Sequence, residues 1–207
     1  STFQRIQANG GFVSAATVEV ITGPMFGGKT WELIHRILEN RYGRKRELIV
    51  KPPKDTRTVD AVVARGINNQ GEEFVVYSLP AVTVANPLSI IGLLEDHKPA
   101  LLAIDEAHLF PSSLVHVINT LRNKADSPPL RIVIAGLDMD YRREPFPSVA
   151  HFLAIADAGI WKATGVCMAC GARGATYTQA LRALTSNTHA GSGETYEVRC
   201  RACHTIP

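Results

Sequence analysis

Residues 21–30 read ITGPMFGGKT. Gly23 and Gly28 stand five apart, and a lysine and a threonine follow directly. Thr17–Thr22, TVEVIT, is a β-rich run before the glycines. KTWELIHRILENRYG after them repeats Leu33, Ile34, Ile37 and Leu38 at helical spacing until Gly43. A strand, a glycine turn and a helix in this order make a phosphate-binding loop. Small residues let backbone N–H groups curl around phosphate oxygens, and the helix aims its positive end at them. Gly23, Pro24, Met25, Phe26, Gly27, Gly28, Lys29 and Thr30 satisfy G-x-x-x-x-G-K-[ST]. A chain of this length meets that pattern by accident about once in a hundred sequences. Lys29 is expected to reach the β- and γ-phosphates of ATP and the Thr30 hydroxyl to ligate Mg²⁺.

Such a loop needs a carboxylate on the metal side, at the end of another strand. LLAIDEAH supplies Asp105 after four apolar residues, and Glu106 follows. Asp105 is expected to hold Mg²⁺. Glu106 is left to take a proton from a nucleophile attacking the γ-phosphate. Elsewhere ELIV (47–50), FVVYS (74–78) and RIVIAG (131–136) read as strands. PLSIIGLLEDH, SSLVHVINTLRNK and PSVAHFLAIAD read as helices, with Ser112 as the N-cap of the second. Residues 55–72 read as an irregular, mobile loop. Alternation of strands and helices predicts an α/β domain with a mostly parallel sheet.

The chain has 207 residues, 45% of them hydrophobic and 20% charged, with a formal net charge of +3. That suits one sizeable core with a small added module. The mild charge argues against a dedicated nucleic-acid binder, and no apolar run is long enough to span a membrane. The chain therefore reads as cytoplasmic, with residues 1–16 an N-terminal extension, 17–160 the nucleotide-binding domain and 161–207 a second unit. All four cysteines fall in that last unit, as Cys167-x-x-Cys170 and Cys200-x-x-Cys203. Two matched knuckles suit a closed, structural Zn²⁺ site, with His204 an alternative to Cys203 as fourth ligand. Three functional classes fit a phosphate loop: a small-molecule kinase, a nucleotide-gated binding switch, and a RecA-like ATPase acting on DNA. The four letters of DEAH come without companion helicase motifs.

GPMFGGKT, KPPKDTR (51–57), IDEAHLF, GLDMDYRREPF (136–146) and GSGETYEVRCRAC, together with the paired knuckles, resemble the type II thymidine kinases. The matches keep family order from about residue 18 to residue 203. The resemblance implies a P-loop NTPase fold of RecA-like kind with a small C-terminal zinc-binding lasso domain. It implies transfer of the ATP γ-phosphoryl group to the 5′-hydroxyl of thymidine in nucleoside salvage, a homotetramer, feedback by the triphosphate end product, and no nucleic-acid or membrane partner. Position by position it assigns Lys29 and Thr30 to ATP and Mg²⁺, Asp105 to the metal and Glu106 to the general base. Asp55 and Arg57 match a phosphate-organising pair, and Ala107 and His108 fall on the nucleotide side. Met25, Leu109, Leu137, Tyr141, Phe146, Thr178 and Tyr196 match the thymine pocket, with a covering lasso at Asn187, Thr188, His189, Ala190 and Gly191. The chain departs from the family pattern at Leu109, where an aromatic is common, at His108 for glutamine, Ala180 for arginine and Tyr141 for phenylalanine. One aromatic wall is lost and one hydroxyl gained, and looser nucleoside selectivity is expected.

Overall fold

The computed structural model describes residues 16–70, 72–124, 129–182, 184 and 195–206. The expected lasso, Asn187 to Gly191, and the expected extension up to residue 15 lie outside the described residues. The core is a six-stranded sheet built from β1 (Thr17–Thr22), β2 (Glu47–Lys51), β5 (Val82–Thr83), β6 (Leu101–Ile104), β7 (Arg131–Gly136) and β8 (Gly159–Lys162). Its order is β5-β2-β6-β7-β1-β8, and every pairing in it is parallel. The predicted α/β architecture is thus the observed one.

Parallel strands covered on both faces are mostly apolar, and these are, with Glu19 and Lys51 the buried charged exceptions. Val18, Val20, Leu48, Val50, Leu102, Ile104, Ile132 and Ile134 pack on one face. That face is covered by α2 (Ser89–His97), α3 (Ser113–Asn123) and α4 (Pro147–Ile155), through Ile90, Leu114, Val117, Ile118, Leu121 and Phe152. The opposite face carries Ile21, Ile49, Leu101, Ala103, Val133 and Ala135. It is covered by α1 (Lys29–Tyr42), whose Leu33, Ile34 and Ile37 are the buried side of the helix. Ser112 occupies the N-cap position of α3 as expected, but its side chain makes no capping bond there.

The stretch read as an irregular loop contains a strand. β3 (Ala61–Ile67) pairs antiparallel with β4 (Glu73–Pro80), and the two form a hairpin separate from the main sheet. Val62 and Ala64 alternate inward on β3 and join the cluster beneath α1. Arg65 and Gly66 break the apolar alternation in sequence, which is why the strand is hard to read there. β4 exposes nearly all its residues, yet FVVYS within it is the strand expected from its β-branched and aromatic residues.

Beyond β8 the elements are short. β9 (Gly165–Val166) pairs with β10 (Arg173–Ala175), and β11 (Tyr177–Ala180) pairs with β12 (Tyr196–Arg199). Their shared core is small: Cys167, Ala175 and Val198, with Cys200 and Cys203 packed against them. Among the described residues, no helix is long and apolar enough to cross a membrane.

Candidate active site

The C-terminal ends of β1, β6 and β7 meet at one edge of the sheet, where open α/β sheets place their ligands. The loop after β1 needs glycine twice for separate reasons. Gly23 has φ 129, and a Cβ there would lie 2.5 Å from the Ala163 carbonyl oxygen. Gly28 has φ 88 at the N-cap of α1, with open space around it, so conformation and not crowding excludes a side chain. Lys29 then folds back and donates from Nζ to the Pro24 carbonyl at 2.7 Å. Burial lowers the Lys29 pKa, and the Glu106 and Asp105 carboxylates work against that fall.

β6 delivers Asp105 and Glu106, which are 5% and 9% exposed. Glu106 adopts φ 50 at the start of a 3-10 turn, Ala107–Leu109. A left-handed conformation in a non-glycine residue is costly and marks a position fixed by its surroundings. Here the two carboxylates take different partners. Asp105 accepts the Glu106 N–H at 3.0 Å, while the Glu106 carboxylate pairs with the Arg57 guanidinium. Burial alone would raise the Glu106 pKa, but Arg57, His108 and Lys29 together outweigh it, with Arg57 first among them, and hold the group down to about 2. Burial and the adjacent Glu106 charge push Asp105 the other way, up to about 7. Two neighbouring carboxylates thus acquire different protonation behaviour from their different partners.

Arg57 belongs to a longer chain of charge. Its Nε donates to Asp55 Oδ1 at 2.8 Å, and Asp55 Oδ2 pairs with Lys51 Nζ at 2.9 Å. Lys51, 1% exposed at the end of β2, also donates to the Thr58 carbonyl at 2.6 Å, the Thr58 hydroxyl at 2.7 Å and the Ala61 carbonyl at 3.3 Å. It ties the segment before β3 to the sheet and so presents Arg57. Sequence reading gave Lys51 no role. Its position directly after an apolar strand and before Pro52 was the available signal. His108 is also buried, and burial lowers its pKa to about 4. Its neutral ring accepts the Leu137 N–H on Nδ1 at 3.2 Å and lies 4.8 Å from the Phe146 ring.

These groups open onto one cavity of about 270 Å³. Phe26, Gly28, Lys29 and Thr30 line its loop side, and Arg57, Glu106 and the neutral His108 its polar floor. Met25, Leu109 and Leu137 form apolar wall. The hairpin supplies the remaining wall through Val63, Arg65 and Ile67, and the Trp31 indole N–H bonds the Arg65 carbonyl at 3.0 Å to fasten it. This wall was not expected from sequence. Met25 also packs with Leu137 and Phe146 in one apolar cluster and with Tyr141, Ala180 and Tyr196 in another. Its N–H bonds the Thr178 hydroxyl at 3.1 Å. The Tyr141 hydroxyl accepts from Arg142 Nε at 3.0 Å and donates to the Leu184 carbonyl at 3.4 Å. Gly23, Pro24, Gly27, Asp55, Asp105 and Ala107 sit behind the lining residues, in the loop, the ion chain and the turn that carry them.

The four thiols of Cys167, Cys170, Cys200 and Cys203 lie within 4.8 Å of one another. Tetrahedral zinc with sulfur at 2.3 Å sets its sulfurs about 3.8 Å apart. The Cys170 and Cys200 sulfurs are 3.8 Å apart. The cluster is compatible with a zinc site and includes Cys203. Backbone N–H groups of Cys200 and Cys170 pull the Cys167 thiol down to about 6, which favours a thiolate ligand. The His204 nitrogens instead face Arg143 and the Thr178 carbonyl.

A family model described as thymidine kinase matches residues 16–204. The chain is similar to a thymidine kinase of Coprothermobacter proteolyticus, 38% identical over 92% of this chain and 91% of that protein. It is similar to one of Chloroflexus aurantiacus, 37% identical over 90% and 93%. It is also similar to one of Metamycoplasma arthritidis, 35% identical over 90% and 89%.

Proposed function

The chain belongs to the thymidine kinase family, and from that premise we propose that it transfers the γ-phosphoryl group of ATP to the 5′-hydroxyl of thymidine, giving dTMP and ADP. One observation carries the reading. A single cavity joins Lys29 and Thr30 of the phosphate loop to Glu106 and to the apolar wall of Met25, Leu109 and Leu137. A nucleotide-driven switch or a DNA motor has no use for a base-sized apolar recess beside its phosphate loop.

In this reading the loop amides and Lys29 neutralise the β- and γ-phosphates. The Glu106 carboxylate, kept ionised by Arg57, accepts the proton of the 5′-hydroxyl as its oxygen attacks the γ-phosphorus. The bond from that phosphorus to the bridging oxygen of ADP breaks as the new bond forms. Arg57 is placed to face the charge that spreads over the transferring phosphoryl oxygens. The Thr30 hydroxyl and Asp105 would hold Mg²⁺, which would supply positive charge against the phosphate groups. The four thiolates would hold Zn²⁺, which supplies structure and no chemistry at the phosphoryl group. Phe146, Tyr141 and Tyr196 flank Met25 and would bound the pyrimidine ring, whose flat faces suit aromatic and thioether walls. The hairpin covers the loop and limits the access of water to ATP. Asn187 to Gly191 remain our candidate for the segment covering the base, and a homotetramer remains the expected assembly.

The test is to incubate the protein with Mg-ATP and each deoxynucleoside in turn and to measure monophosphate. Thymidine should be the best acceptor. Equal turnover of purine deoxynucleosides, or ATP hydrolysis without nucleoside product, would overturn the assignment.

A further inference from the structure

A second polar cluster lies outside the cavity, between the cysteine knuckles and the loop that carries Tyr141 and Phe146. At its centre is His204, 5% exposed and one residue past Cys203. Arg143 donates from Nε to His204 Nδ1 at 3.1 Å and from Nη2 to the His204 carbonyl at 3.1 Å. With Nδ1 accepting, the ring proton belongs on Nε2, which donates to the Thr178 carbonyl at 3.1 Å. The Arg143 guanidinium lies 4.9 Å over the Tyr177 ring, and that ring is 5.3 Å from the imidazole. Three segments distant in sequence converge on this point: the loop after β7, β11 and the second knuckle.

Two features lift the cluster above ordinary packing. First, Arg143 has φ 70, a left-handed conformation that non-glycine residues avoid unless their surroundings enforce it. The turn enforces it, with the Arg143 N–H on the Asp140 carbonyl at 3.1 Å and the Asp140 N–H on the Glu144 carbonyl at 2.9 Å, and it presents the side chain to His204 and Tyr177. Second, each end of the cluster leads to Met25, which lines the recess beside Glu106; Tyr141 and Phe146 pack against Met25 behind that lining. The Arg143 loop is a tight hairpin in which Asp140 Oδ1 accepts the N–H groups of Arg142 at 2.8 Å and Glu144 at 3.0 Å. The Phe146 N–H closes it on the Asp138 carbonyl at 2.9 Å. Any shift of Arg143 therefore carries Tyr141 and Phe146 with it. On the other side, Thr178 gives its carbonyl to His204 and its hydroxyl to the Met25 N–H. Met25, Tyr141 and Phe146 thus all trace back to one imidazole.

We propose that His204 and Arg143 are positioning residues for the acceptor nucleoside. They lock the metal-binding knuckle to the Asp138–Phe146 loop and to β11, and so fix the spacing of the walls that receive the base. The proposal rests on reading that recess as the thymidine pocket. It assigns the knuckle a task in acceptor binding that runs through hydrogen bonds of His204 and is separate from metal ligation.

The experiment compares wild type with His204→Ala, Arg143→Ala, Arg143→Lys, the double alanine variant and His204→Gln, with zinc content measured on each. His204→Ala and Arg143→Ala should raise the thymidine KM about tenfold, with the ATP KM and kcat nearly unchanged. The double variant should be no worse than the worse single, since the two residues act through one contact. Arg143→Lys keeps the charge but cannot make both bonds, and should shift the thymidine KM in the same direction by less. His204→Gln, whose amide can both accept and donate, should recover most of the loss. Amide hydrogen exchange should rise in residues 139–146 of His204→Ala while zinc stays bound. An unchanged thymidine KM, an equal rise in both KM values, or loss of zinc from His204→Ala would overturn the proposal. Wild-type turnover of thymidine tests the pocket reading by itself, and the exchange measurement decides the brace even if thymidine is not the acceptor.

Discussion

Glu106 answers two opposed demands. A carboxylate this deeply placed prefers to hold a proton, whereas a general base must have lost it. Arg57 resolves the conflict by pairing with it, and Arg57 is itself oriented by Asp55 and, through Asp55, by Lys51. Glu106→Gln keeps the size and most of the hydrogen bonding but removes the basic lone pair. It should cut kcat by roughly two to four orders of magnitude, with the ATP dissociation constant nearly unchanged; steady-state kinetics and nucleotide binding check this. A loss confined to ATP affinity would assign Glu106 to nucleotide binding instead. Lys51 makes a different prediction, because its role is structural. Lys51→Met leaves Asp55 buried with one cation in place of two and should cost about 3 kcal/mol in urea unfolding. Adding Asp55→Asn removes the under-compensated buried charge, so the double variant should be more stable than Lys51→Met alone.

At the scale of elements, α1 is bound to the sheet by more than its apolar side. Glu19 on β1 accepts from Arg36 on α1 at 2.5 Å and from Arg131 on β7 at 2.6 Å. Burial alone would raise the Glu19 pKa, but the hydrogen bonds from Arg131 and Arg36 prevail and lower it. A carboxylate whose pKa is lower folded than unfolded binds fewer protons in the fold. Its stabilisation is therefore complete at neutral pH and is lost as pH falls through the depressed value, below about pH 4. Glu19→Gln should lose roughly 1–3 kcal/mol at pH 7 and show a shallower loss of stability on acidification; urea melts from pH 7 to pH 3 measure both. The same elements show what a sequence can and cannot announce. TVEVIT, LLAIDE and RIVIAG are legible because a parallel strand covered on both faces is a mostly apolar run, and Gly23 and Gly136 stand at their exits. AVVARGI is not, because half of β3 faces the cavity and solvent and Arg65 and Gly66 interrupt its apolar alternation, whereas FVVYS in its partner β4 is legible from its β-branched and aromatic residues. Lys29, Thr30, Asp105 and Glu106 sit in short contiguous motifs, so they could be named in advance. Trp31 and Arg143 matter through partners dozens of residues away, and nothing local distinguishes them. Lys51 is tied to Asp55, Thr58 and Ala61 close by, and His204 reads as an alternative metal ligand, so their sequence neighbours hint at a role without showing which.

At the scale of the molecule, two unequal cores share one chain. The sheet is sealed by large apolar clusters on both faces and needs no metal to hold it. Among the described residues, the region of β9 to β12 has two small apolar clusters: Cys167, Ala175 and Val198 with the other cysteines beside them, and Ala180 and Tyr196 packed against Tyr141. So little apolar area cannot offset the entropy of ordering the surrounding strands, and small units of this kind depend on a crosslink or a metal. The four converging thiols are the crosslinking chemistry present. Chelation of zinc should therefore act regionally. Amide exchange in β9, β10 and β12 should accelerate by orders of magnitude, approaching that of an unfolded chain, while β1, β6 and β7 stay protected. Phosphorylation of thymidine should fall with the metal, because Thr178, Tyr196 and the His204 contact to Arg143 belong to the released region. Lys29, Thr30 and Asp105 do not, so ATP should still bind. Uniform loss of protection across both cores would mean that they unfold as one unit, and unchanged protection would mean that the thiols need no metal; either result would refute the division of labour argued here.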